Sequence, residues 1–147
     1  MKAFIYAAIL LILVLLACGC TTTAPPEEAR PPVAPVPNLL GNWTGSSVGY
    51  TGEKGFTDFG GDGITMMVTA QKDRIFQGDF LISNQSGTII KTIEFGGAIG
   101  RDGMTLTIVE RNGGYSFGTL VAPDEIELIH ADDKEPSDVA IDSLKKS

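Results

Sequence analysis

From Leu40 onward the chain is cut into short alternating or β-branched runs by clusters of Gly, Asn, Asp, Ser and Pro, and no long helical period appears before the C-terminus. A buried helix needs apolar positions three and four apart sustained over about ten residues, whereas a half-buried strand needs only alternation. The pattern therefore confines this region to antiparallel strands joined by hairpins. Strands are predicted at Gly41 to Tyr50, Gly63 to Gln71, Ile75 to Ser83, Thr88 to Phe95, Met104 to Glu110, Tyr115 to Val121 and Glu125 to His130, with Gly52 to Phe59 as one more. Lys72-Asp73-Arg74, Asn84-Gln85-Ser86-Gly87, Arg101-Asp102-Gly103, Arg111-Asn112-Gly113-Gly114 and Pro123-Asp124 supply the turns, with residue types that tolerate their geometry. Loops this short leave no room for crossovers. The fold class expected is all-β, a small antiparallel up-and-down meander barrel of about seven or eight strands, because closure removes exposed sheet edges.

Alternation then divides the faces. Ile64, Met66, Val68 and Ala70 share one side of their strand, and Phe76, Phe80 and Ile82 share one side of the next with Gly78 between them. Met104, Leu106 and Ile108 oppose Thr105 and Thr107, while Ile126 and Leu128 oppose Glu125 and Glu127. These sets predict the core. A barrel of this size is either filled by its own side chains or holds one small ligand. The last stretch, Pro136 to Leu144, has Pro near a helix start, acids in the first turn and Lys145-Lys146 at the end. That predicts a short C-terminal helix packed on the wall or plugging one end, with Val139, Ala140, Ile141 and Leu144 toward the barrel.

The N-terminal forty residues read differently. Met1 and Lys2 precede an uninterrupted apolar run from Ala3 to Ala17, which has the length of a signal-peptide core and falls short of the roughly 20 residues of a spanning helix. The continuation LLACGCTTT resembles the lipobox of bacterial and archaeal membrane lipoproteins, in which a small residue precedes a cysteine that is lipidated and becomes the new N-terminus. Both Cys18 and Cys20 fit that register. The resemblance implies a membrane partner reached through the N-terminal lipid, since two or more acyl chains anchor a protein durably. Residues 21–39 contain six of the eight prolines and read as an extended spacer reaching up to roughly 60 Å. The expected organisation is thus 1–19 signal peptide, 20–39 lipidated cysteine and Pro-rich tether, and 40–147 barrel with C-terminal helix, at the outward face of the cell membrane.

Composition narrows the partners. The chain carries a net charge of −7, and loss of a leader containing Lys2 makes the remainder one unit more negative. Such a balance repels phosphate backbones and argues against nucleic-acid binding. Neither cysteine lies in the predicted barrel, so the domain has no disulfide framework, thiol nucleophile or thiolate metal site.

Gly41-Asn42-Trp43 on the first strand of a small meander resembles the G-x-W opening of lipocalins and avidins, the calycin-type barrels. That likeness implies a Trp packed across one end of the barrel. The chain is also similar to small archaeal envelope lipoproteins that share the GNWTG start and the A-I-D-S-L-K segment.

Residues suited to chemistry are few. His130 is the single histidine, so zinc binding and Ser-His-Asp catalysis lack their usual parts, and it reads as a structural residue. Asp58 with Asp62, and Glu125 with Glu127, are carboxylate pairs close in sequence of the kind glycoside hydrolysis uses; the second pair points outward by alternation. DFGGDG around Asp58 lacks the spacing of a calcium loop and reads as a glycine-rich loop. Asn42-Trp43-Thr44 and Asn84-Gln85-Ser86 match the glycan-acceptor pattern, which matters in an exported protein. No catalytic residue, metal or cofactor is expected. The expected function is a non-catalytic binding module for a small ligand, with contacts from the Tyr50, Phe56 and Phe59 loop; the alternatives are a structural envelope component without a pocket and a carboxylate-based hydrolase.

Overall fold

In the computed structural model of the protein, the described residues are 34–111, 113–134 and 137–147; the leader, Cys18, Cys20 and most of the proline-rich segment lie outside them. The strands are β1 (Gly41–Thr51), β2 (Gly55–Thr57), β3 (Gly63–Lys72), β4 (Ile75–Ser83), β5 (Ile89–Ile99), β6 (Thr105–Glu110), β7 (Tyr115–Ala122), β8 (Glu125–Asp132) and β9 (Asp138–Lys146). All pairings are antiparallel: β1 pairs with β2, β3 and β9, and from β3 onward each strand pairs with the next. Eight strands, β1 and β3 to β9, therefore form a closed barrel, and β2 is a short flap hydrogen-bonded to the end of β1. Closure satisfies the ladder groups an open sheet would expose.

The C-terminal segment is a correction to the sequence reading. Among the described residues there is no α-helix; Asp138–Lys146 is the ninth strand, paired with β8 through Ile129↔Ile141 and with β1 through Val48↔Ile141. Helix-favouring termini are worth only fractions of a kcal/mol to about 1 kcal/mol each, whereas two full ladders and closure depend on this strand. Val139 and Ile141 point outward and Ala140 and Leu144 inward, so only half of the expected apolar set faces the core. Two smaller corrections have local causes. Met104 precedes β6 and is exposed, and Ala70 turns outward beyond a register shift between Val68 and Ala70.

One end of the barrel is packed solid. Trp43, Met66, Val68, Phe76, Ile99, Leu106, Ile126, Leu128 and Leu144 are buried there, and Phe95, Ile108 and Phe80 continue the core toward the other end. Leu39 is fully buried and its carbonyl accepts a 2.8 Å hydrogen bond from Trp43 Nε1. Gln71 holds the incoming chain on both sides, accepting from Leu39 N at 2.8 Å and donating to Pro37 O at 2.8 Å. Lys146 donates to Asn38 O at 2.9 Å and stands 4.9 Å from the Trp43 ring. Residues 34–39 are thereby part of the barrel's closed end, and Trp43 packs across it.

Inward glycines let neighbouring strands approach at the β1–β9 seam. A Cβ on Gly45 would fall on the carbonyl oxygen of Ser143, and one on Gly49 on that of Val139, so these positions admit no side chain.

Candidate functional site

At the other end the interior changes character. Alternation continues along β6, β8, β9 and β1, but the inward residues become Glu110, His130, Asp142 and Ser47, and β7 contributes Ser116. Their outward neighbours are apolar: Val109, Ile129, Ile141, Val48, Tyr115 and Phe117, all exposed. This is the reverse of the usual preference. A slip of one residue would bury the apolar set, but the solid end of each strand, with Leu106, Leu128 and Leu144 inside, fixes the register.

The polar residues surround a cavity of about 220 Å³. Opposite them lies an apolar wall of Ile64, Phe80, Ile82 and Ile93. Phe59 stands at the mouth on a three-residue 3₁₀ turn, Phe59–Gly61. Phe59 adopts a left-handed backbone, φ +55°, as do Gly60 and Gly61; for a bulky residue this costs about 1–2 kcal/mol. Asp58 Oδ1 accepts from Gly60 N at 3.0 Å, Thr57 Oγ1 accepts from Phe59 N at 2.9 Å, and the Gln85 side chain donates to the Gly60 carbonyl. The DFGGDG loop is therefore a braced turn over the mouth, with Asp62 facing the cavity.

Within the polar wall, His130 Nδ1 lies 2.9 Å from Glu110 Oε1 and 3.2 Å from Ser116 Oγ, and its Nε2 lies 3.5 Å from Asp138 Oδ1. Glu110 and Ser116 are buried. The hydrogen bond to Glu110 holds the imidazole above its usual 6.5 against the opposing effect of burial, and the charges of Glu110, Asp138 and Asp142 add to the rise. Charged His130 carries a proton on each nitrogen, and its Nε2 stands at ion-pair distance from Asp138 without a hydrogen bond to it. A Cβ on Gly114 would lie 2.7 Å from His130 Cε1 and 2.9 Å from Glu110 Oε2, so the bare backbone there makes room for the pair.

Asp142 is 3% exposed and its Oδ1 accepts from Ser47 Oγ at 2.5 Å. Burial pushes its carboxyl above the usual carboxylate range; Ser47 and His130 oppose the rise and the charges of Glu110 and Asp138 add to it. Asp138 Oδ1 is buried without a hydrogen-bond partner. A serine nucleophile needs its base on one imidazole nitrogen and an orienting group on the other. Here Ser116 and Glu110 converge on the same nitrogen, so the cluster is a polar network, not a triad. Among the described residues no group of three or more His, Cys, Asp or Glu is arranged to hold a metal ion.

Of the candidate site residues named from the sequence, Phe59, Asp62 and His130 line the cavity. Tyr50 and Phe56 meet edge-on outside it, with ring centres 5.5 Å apart. Asp58 caps its turn, Glu127 is exposed, and Glu125 lies 3.9 Å from Lys145. Asn42 is exposed on β1, and Asn84 Oδ1 accepts from Ser86 N and Thr88 N in the β4–β5 turn. Glu110, Ser116, Asp138, Asp142 and Ser47 were not singled out. For Glu110 the signal was present, because it continues the inward series of Leu106 and Ile108.

No family model matches the chain, and no curated protein matches its sequence. Among solved structures it is similar to a redesigned β-barrel, with 11% identity, a TM-score of 0.48, and coverage of 74% of this chain and 91% of that one.

Proposed function

We propose that this protein is a membrane-anchored, outward-facing lipoprotein whose calycin-like barrel binds a small molecule in the cavity at its open end. The observation that carries the binding reading is the reversal of polarity around that cavity. Five strands, β1 and β6 to β9, turn a hydrogen-bonding side chain inward and an apolar one outward at the mouth. Burying a polar group without full compensation costs about 1–3 kcal/mol, and a cavity with one apolar wall and a few convergent polar groups is what ligand sites present. The volume is below the roughly 300–1,000 Å³ of drug-sized sites, so the ligand is small. Anchoring rests on the lipobox-like LLACGC sequence at Cys18 and Cys20, and the proline-rich residues behind it serve as the spacer.

A structural envelope component is the second reading, and the exposed apolar residues of the outer wall favour it. Native mass spectrometry of the full chain released from its own membranes separates the two. The binding reading expects an added small mass that disappears in Ala140→Phe, which fills the cavity from β9; a chain carrying mass only at its N-terminal cysteine supports the structural role. Acyl-chain mass on Cys18 or Cys20 checks the anchor, and its absence would refute it.

A further inference from the structure

The cavity's charge is lopsided. Asp62, Glu110, Asp138 and Asp142 line it, against His130 and Lys91. Glu110 is satisfied by His130 at 2.9 Å, and Lys91 is exposed on β5. Of the two carboxylates of β9, Asp138 has beside it only His130 Nε2 at 3.5 Å, from an imidazole already paired to Glu110, and Asp142 has, among the described residues, no cation in hydrogen-bonding contact. Asp142 is almost completely buried, and among the described residues its one hydrogen bond is from Ser47. Asp138 is partly open to solvent, its side chain 38% exposed, but its Oδ1 is covered and accepts no hydrogen bond. An ionised carboxylate held out of water as Asp142 is, with so little compensation, lacks a positive charge or strong donors beside it. Facing this pair across the hollow are aliphatic and aromatic side chains that offer no hydrogen bond, Ile64, Phe80, Ile82 and Ile93.

Resting on the binding reading above, we infer that the ligand is a small organic cation: an ammonium group seated against Asp142 and Asp138, and an apolar body laid on Ile64, Phe80, Ile82 and Ile93. A compact ammonium has three donors and no acceptor, which suits the open acceptor positions of these two carboxylates. Burial that raises the Asp142 carboxyl is relieved when a cation arrives, so occupancy and ionisation of Asp142 support each other. A carboxylate ligand would meet repulsion from the same groups. A neutral alcohol would gain the apolar contacts alone.

The test titrates the full chain in phosphatidylcholine vesicles with three probes of one shape, 2-phenylethylammonium, 2-phenylethanol and 3-phenylpropanoate, with protein-free vesicles subtracted. The ammonium is expected to bind at least about tenfold more tightly than the alcohol, as a charge-assisted contact does, and the carboxylate weakest. Asp142→Asn removes the preference for the ammonium and leaves alcohol binding in place; Asp138→Asn weakens the preference and decides the matter where the first variant does not fold. Glu127→Gln, the same change of charge on the outer wall, leaves the preference intact. Equal binding of ammonium and alcohol, or tighter binding of the carboxylate, overturns the cation assignment while leaving a binding cavity. Failure of all three probes, together with a chain bare of added mass, overturns the cavity reading itself.

Discussion

At the scale of single residues the polar end carries a stability cost. Replacing Asp142 by Asn keeps an acceptor for Ser47 and removes a carboxylate that burial disfavours. The variant should gain about 0.5–2 kcal/mol at neutral pH, of the order of other gains made by relaxing a functional site, and chemical denaturation would show it. Glu110→Gln has the opposite sign. Loss of the charge paired with His130 at 2.9 Å should cost about 1–3 kcal/mol and lower the His130 titration midpoint followed by proton NMR. The pH dependence carries its own sign. Because the folded protein holds His130 above 6.5, the stability from its charged form is complete below pH 6.5 and is lost as pH rises through the folded value. The groups facing it are Glu110 from β6, Ser116 from β7, and Asp138 and Asp142 from β9. Stability that instead rises with pH across that window would contradict the assignment. Trp43→Phe probes the closed end. It leaves the Leu39 carbonyl without the indole donor and should cost about 1–3 kcal/mol.

At the scale of elements, legibility follows whether the inward residues were apolar. Ile64-Met66-Val68, Phe76-Phe80, Leu106-Ile108 and Ile126-Leu128 alternate with residues that, Met67 apart, are polar or glycine, and they lie in the core, so those strands and most of the turns are legible in the sequence. β7 could be placed as a strand but its faces could not, because Ser116 and Gly118 lie inside while Tyr115 and Phe117 lie outside. β9 failed for the same reason in stronger form. With Asp142 inside and Val139 and Ile141 outside, its apolar residues do not mark the core, and its terminal charges match those of a helix. The site was hard to see because it consists of the positions where hydropathy reports the wrong face. Two measurements test these elements. Far-UV circular dichroism should show β structure without a helical component, and removal of Asp138 to Ser147 should abolish cooperative unfolding, since β1 and β8 both lose their ladder.

At the scale of the molecule the barrel divides its work between its ends. The closed end supplies stability: Leu39, Trp43 and Lys146 tie the incoming chain, the first strand and the last strand together. That leaves the open end free to hold a polar, hollow interior. The same division explains how a domain with polar groups inside five strands keeps one register. The most direct test of the central claim is an atomic-resolution crystal structure of the full chain purified from its own membranes. The account predicts density for a small non-protein molecule between Asp142 and the Ile93 wall, with His130 still paired to Glu110. A mouth collapsed so that Phe59 and Ile82 fill the space against Asp142, leaving no room for an occupant, would contradict it.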